Sequence, residues 1–188
     1  MKKLWKGAPA RVLFGAIAMA AAPTGCVQPE APFFIEGARV ISCEGFDQDS
    51  VTLLGGRMDV RYSCEYNVQL IIGNQLVRRG DPTKLQIETS RIVMRSFDVE
   101  VLDAAGEALN TGTGAGAFTI PAVGFIEPGT GTQPGYGGSG TTLIDGGTAQ
   151  YLAQYLTDNP SQGEVLVIAR VVAHGRTLGG DDITSGPW

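Results

Sequence analysis

The chain has 188 residues, of which 43% are hydrophobic and 18% charged, enough for one domain with a substantial core. Its 14 basic and 19 acidic residues leave a formal charge of −5, which argues against a nucleic-acid binder, since such proteins neutralise phosphates with Lys and Arg. The 27 glycines and 10 prolines point to many turns rather than long helices.

The first 25 residues fall into three pieces. A cationic start (Lys2, Lys3, Lys6, Arg11) precedes the uncharged run from Val12 to Ala22, and the small residues Thr24 and Gly25 then lead into Cys26. The apolar run has the length of a signal-peptide core and falls short of the roughly 20 residues a bilayer span needs. Ending as it does in a cysteine, this start resembles a bacterial lipoprotein signal, in which a peptidase cuts before a cysteine whose thiol has been acylated. Thr24, Gly25 and Cys26 follow the family's pattern, and Pro23 stands where a bulky aliphatic residue is usual. The resemblance implies a signal peptide over 1–25, lipidation of Cys26, a lipidated tether over 26–33, a single domain over 34–188, and the lipid bilayer as partner through acylated Cys26. Val27, in the place where an Asp commonly marks inner-membrane retention, implies the outer membrane as the address within the cell envelope. The competing reading is an ordinary secretory signal cut near Ala20 to Ala22, which leaves Cys26 as a free or dimer-forming thiol. Cutting before Cys26 leaves 10 basic against 19 acidic residues, about −9, so attachment to an anionic membrane would rest on acyl chains and not on charge.

With Cys26 assigned to lipid, Cys43 and Cys64 form an even pair, and export to an oxidising compartment predicts a disulfide between them. Such a bridge, closing a loop of about 20 residues, contributes roughly 3 kcal/mol in the chain-entropy account. Neither a CxxC spacing nor a neighbouring histidine supports a zinc or redox pair instead.

Beyond the tether, Phe33 to Cys43 reads as a first strand, with residues 44–57 as a connection. From Val60 to Ile72 the alternation is nearly unbroken (Val60, Tyr62, Cys64, Tyr66, Val68, Leu70, Ile72), which predicts a half-buried strand with Cys64 facing the core. The next pattern runs through Leu85, Ile87 and Thr89, shifts phase at Ile92 and Met94, and returns to odd positions at Phe97, Val99 and Val101. A shift of this kind means a bulge, a corner or two separate strands. Residues 103–106 read as a turn into a strand around Leu109. Residues 117–125 read as a further strand whose Pro121 places it at an edge or a bulge.

Residues 127–141, rich in glycine, predict a long surface loop, in which Tyr136 has the setting of an aromatic anchor among small residues. A helix is expected over 147–157, because Ala149, Leu152, Ala153 and Leu156 fall at i, i+3, i+4 and i+7, with Thr148 or Asp145 as cap and Asn159-Pro160 as stop. Val165 to Ala173 is apolar on both faces and predicts a central strand, followed by a turn at 179–182 and a short returning strand at 183–185. Together these elements predict a mainly β protein, an antiparallel β-sandwich of immunoglobulin-like type with one short helix, a small β-barrel being the alternative.

Catalytic templates fit poorly. His174 is the only histidine and reads as a strand-end residue before Gly175, with Arg170 on its face and no Gly-x-Ser-x-Gly elbow or His-Glu-x-x-His motif in the chain. The acids Asp47 and Asp49 lack the EF-hand pattern, and Asp181-Asp182 reads as turn chemistry. The Gly-rich stretches 112–116 and 129–140 lack the lysine and the strand-to-helix context of a phosphate loop. The expectation is a non-enzymatic, membrane-anchored envelope lipoprotein with a structural or protein-interaction role, needing no cofactor or metal. A carbohydrate- or ligand-binding module using Tyr136 is the second reading, with a glycan as partner, and a hydrolase centred on His174 is the third.

Overall fold

In the computed structural model the described residues are 31–40, 55–84, 86–109 and 116–188. They form eight strands and one helix: β1 (Phe33–Val40), β2 (Tyr66–Asn74), β3 (Ile92–Asp103), β4 (Ala117–Pro121), β5 (Phe125–Ile126), β6 (Gly135–Ile144), α1 (Gly146–Asp158), β7 (Val167–Thr177) and β8 (Asp182–Thr184). Every strand pairing is antiparallel. One sheet has the order β1-β2-β6, and the other β4-β3-β7-β8, with β5 beside β3 as well. The protein is thus mainly β, with two antiparallel sheets and one short helix.

The alternation along each strand decides which face is buried. Val68, Leu70 and Ile72 of β2 turn inward with Phe33, Ile35 and Ala38 of β1. They join Met94, Phe97 and Val99 of β3 and Val171 and Ala173 of β7 in one continuous core. Burying each large side chain of this set contributes about 1.5–3 kcal/mol, so the shared core is what holds the two sheets together. The phase shift read in the sequence is a bulge: Met94 pairs with Gly175 and Ser96 with His174, leaving Arg95 as the extra residue. Arg95 and Ser96 consequently stand next to each other on the outer face while Met94 and Phe97 both stay buried.

β4 and β5 are two parts of one edge segment running along β3. Between them Ala122 N–H donates to Arg95 O and Met94 N–H donates to Gly124 O, and Gly124 takes a φ of +135° to make the bend. Pro121 ends β4 on this edge, where its missing N–H costs no ladder bond. The helix lies where its periodicity predicts, with Asp145 as N-cap accepting from Thr148 N–H and Asn159 at its end.

Several predicted features are corrected. The strand predicted over 60–72 begins only at Tyr66, because Asp59 accepts from the backbone N–H of Arg61 and from its guanidinium, and bends residues 59–63 into a turn. Tyr62 is therefore 87% exposed, and Cys64 is exposed instead of facing the core. No strand forms around Ile87, which is exposed. There Glu88 accepts from the N–H groups of Arg79, Gly80 and Ser90, and holds the crossover from β2 to β3 as a loop with a single 3-10 turn at Pro82–Lys84. Ala108 forms only an isolated bridge with Leu102, in place of the strand predicted around Leu109.

The largest correction concerns the predicted Gly-rich loop, whose second half is β6, paired along its whole length with β2. Glycine is a poor strand former, but here the backbone needs the room. A methyl group on Gly137 would sit 2.6 Å from Ile126 Cδ1 and 3.0 Å from Phe125 O, and one on Gly135 would press into the Glu127 backbone. The β5 segment crosses β6 so closely that only glycine fits at those two positions.

Candidate functional site

Of the expected site residues, Cys26 and Cys43 lie outside the described residues. Cys64 stands exposed just ahead of β2 and has no bridge among the described residues. The acids Asp47 and Asp49 also lie outside them. Among the described residues no group of three or more His, Cys, Asp or Glu side chains is placed to hold a metal ion.

Tyr136 occupies a strand position in β6 opposite Gly73 of β2 and half-exposed on the outer face of the three-stranded sheet. Its ring meets Phe34 of β1 edge-on, with centroids 6.3 Å apart and planes at 85°. Gly73 leaves room for that contact, since a side chain there would strike the Phe34 ring. Partial burial, and then the negative charge of Glu36, push the Tyr136 phenol above its ordinary pKa. The anchor expected in a flexible loop is thus a fixed aromatic pair on a sheet.

The richer constellation covers the outer face of the five-stranded sheet. His174 lies within β7, three residues short of its end, and not at a strand end as its sequence neighbours predict. Strand register places it diagonally across from Asp98 of β3 and directly opposite Thr184 of β8, while Asp98 stands opposite Thr119 of β4. The result is a chain of contacts across four strands. Thr119 Oγ1 donates to Asp98 Oδ1 at 2.7 Å, His174 Nε2 meets Asp98 Oδ2 at 2.8 Å, and Thr184 Oγ1 lies 3.3 Å from His174 Nδ1. With the proton assigned to Nε2 toward the carboxylate, Nδ1 accepts from the Thr184 hydroxyl. The Thr119 bond lowers the Asp98 pKa below its ordinary value, partial desolvation opposes it, and the His174 ring adds to the lowering.

Arg170 pairs with Glu100 one row along the same face. Arg176, two residues beyond His174, donates from Nε to Gly180 O at 2.9 Å and lies 3.6 Å from Asp182. Arg95 takes part in none of the ion pairs formed among the described residues. A shallow, open depression is lined by Arg95, Ser96, His174, Arg176, Asp182 and Thr184.

Carboxylate, imidazole and hydroxyl are the residue types of a nucleophilic triad, but the surroundings differ from those that activate one. The depression is open to water, and the backbone N–H following Thr184 is used by the sheet, with Ser185 N–H donating to Ala173 O. An acyl-transfer site needs donors aimed at a developing oxyanion in a water-poor cleft. No local motif announces this cluster, because Asp98 and His174 are 76 residues apart and meet only through strand register.

No protein-family model matches the chain, and neither the curated proteins nor the solved structures contain a match.

Proposed function

We propose that the chain is a bacterial cell-envelope lipoprotein: residues 1–25 a signal peptide, acylated Cys26 the anchor to the outer membrane, and the β domain a non-catalytic module with a structural or protein-interaction role. The observation that carries this reading is the cationic, apolar and small-residue series that ends in Cys26. The start of β1 at Phe33 is consistent with it. Six residues lie between Cys26 and Phe33, and the seven steps reach at most roughly 23 Å at about 3.3 Å each, so the domain would stand close to the bilayer. Among the described residues no helix is long and apolar enough to cross a membrane.

The two sheets, with one core between them and connections that cross from β5 to β6 and back through α1 to β7, support an immunoglobulin-like sandwich as the finer description. Growth of the producing bacterium with labelled palmitate tests the anchor. Label is expected in the wild-type chain and absent from Cys26→Ser, and a wild-type chain without label would remove the proposal's basis.

A second reading, a carbohydrate-binding surface on the three-stranded sheet, is favoured by the half-exposed Tyr136 ring set against Phe34. Binding to a glycan array that Tyr136→Ala abolishes would support it, and unchanged binding would dismiss it.

A further inference from the structure

We propose that the depression lined by Arg95, Ser96, His174, Arg176, Asp182 and Thr184 is a binding site for a phosphate group. Two strands supply its donors: the guanidinium groups of Arg95 and Arg176 and the Ser96 hydroxyl, while the Thr184 hydroxyl is taken up by His174 Nδ1. Guanidinium forks match phosphate oxygens bidentately, and two of them line this one spot. The β-bulge is what makes the set complete. In a regular strand Arg95 and Ser96 would point to opposite faces, whereas here the extra residue puts both beside His174.

Charge bookkeeping favours an anion at this spot although the chain as a whole is acidic. Asp98 is taken up by Thr119 and His174, and Glu100 by Arg170. Asp182 is 85% exposed and only loosely placed against Arg176, so it can turn away when a ligand arrives. Arg95 contributes a positive charge that no described carboxylate pairs. Because the chain carries a net negative charge, phosphate binding measured on this protein would report this site and not general attraction.

His174 borders the site and is held firmly. The groups facing it are Asp98 and Ser96 from β3 and Thr184 and Asp182 from β8, with Arg170 and Arg176 on its own strand. In the neutral ring Nδ1 accepts from Thr184 and offers nothing to an anion. Asp98 and Thr184 hold the ring in place beside the donors, so an anion bound there changes the surroundings of the imidazole.

The test uses the fact that the chain has one histidine, whose imidazole gives a single set of NMR signals. The mature protein is titrated with inorganic phosphate at one fixed pH. A saturable shift of the His174 signals is expected, weakened at least about tenfold in Arg95→Glu. Arg95 is exposed, so that variant keeps the fold, and unchanged amide spectra away from β3 and β7 verify it. A second arm replaces inorganic phosphate with short-chain phosphatidic acid below its micelle concentration. Tighter saturation there assigns a lipid headgroup, and equal or weaker saturation a soluble phosphate ester. A linear, non-saturating shift, or identical titrations of wild type and Arg95→Glu, would overturn the proposal.

Discussion

Asn74, at the end of β2, is fully buried and ties the two sheets together through its side chain. Its Nδ2 donates to Ser90 O at 2.9 Å and to Ile126 O at 3.2 Å, and its Oδ1 accepts from Leu76 N–H at 2.9 Å. Ser90 leads into β3 and Ile126 belongs to β5, so one amide on the three-stranded sheet secures the crossover and the edge of the five-stranded one. Asn74→Ala strands two carbonyls and an N–H in a region closed to water. At about 1–3 kcal/mol for each buried group left unpaired, and with each carbonyl keeping a second lone pair for other partners, the expected loss is about 3–5 kcal/mol. That is a large share of the 5–15 kcal/mol typical of a whole domain, so in urea the midpoint should fall by about 2 M with an unchanged slope. Asn74→Leu separates the polar account from simple packing: it refills the volume but leaves the same three groups without partners, so it should cost nearly as much. A loss below about 1 kcal/mol in Asn74→Ala, or near-complete recovery in Asn74→Leu, would refute the reasoning.

Glycines in β6 should divide sharply by position. Gly135→Ala drives a methyl group into the Glu127 and Pro128 backbone, and should cost about 3 kcal/mol, or about 6–12 °C in melting temperature. Gly140→Ala meets open space and should stay within about 0.5 kcal/mol by the same thermal melt. The His174–Asp98 contact lies on the surface, so His174→Ala should cost less than about 1 kcal/mol in urea unfolding at pH 7. Acid should weaken the fold through Asp98 and Glu88, whose folded pKa values both lie below their ordinary ones. The Thr119 bond is the leading cause at Asp98, and at Glu88 three backbone N–H groups outweigh the opposing desolvation. A depressed carboxylate pKa gives stability that is complete above the unfolded value and is lost as pH falls through the folded one. Urea midpoints should therefore hold above about pH 5 and decline progressively below about pH 4, with a smaller decline in Asp98→Asn.

What was legible in the sequence follows from where side chains carry the pattern. Val68, Leu70 and Ile72 alternate cleanly and form the buried face of β2, and Ala149 and Leu152, buried in α1, announced its inward face. The broken phase between Met94 and Phe97 was visible as well, and the bulge at Arg95 explains it. β6 escaped because a Gly-rich strand has no side-chain period to read; its reason, the close crossing of β5 over Gly135 and Gly137, is a tertiary fact. The alternation continued past Tyr66 back to Val60, yet the local Asp59–Arg61 bonds made a turn there, and Arg61 also holds the Asp59 carboxyl down at about 2. Tyr136 was recognisable as an aromatic among small residues, but its support by Phe34 was not. The Thr119–Asp98–His174–Thr184 row was illegible for a further reason. Four residues, each unremarkable in its own segment, become neighbours only once the register of four strands is set.

The anchor is the central claim, and the intact mass of the protein extracted from bacterial membranes, taken with and without reductant, tests it most directly. The account predicts the mass of residues 26–188 plus acyl chains, and a gain of two hydrogens on reduction if Cys43 and Cys64 are bridged. An unlipidated chain cut near Ala22, recovered from the soluble fraction, would contradict it and make Cys26 an ordinary thiol of a secreted protein.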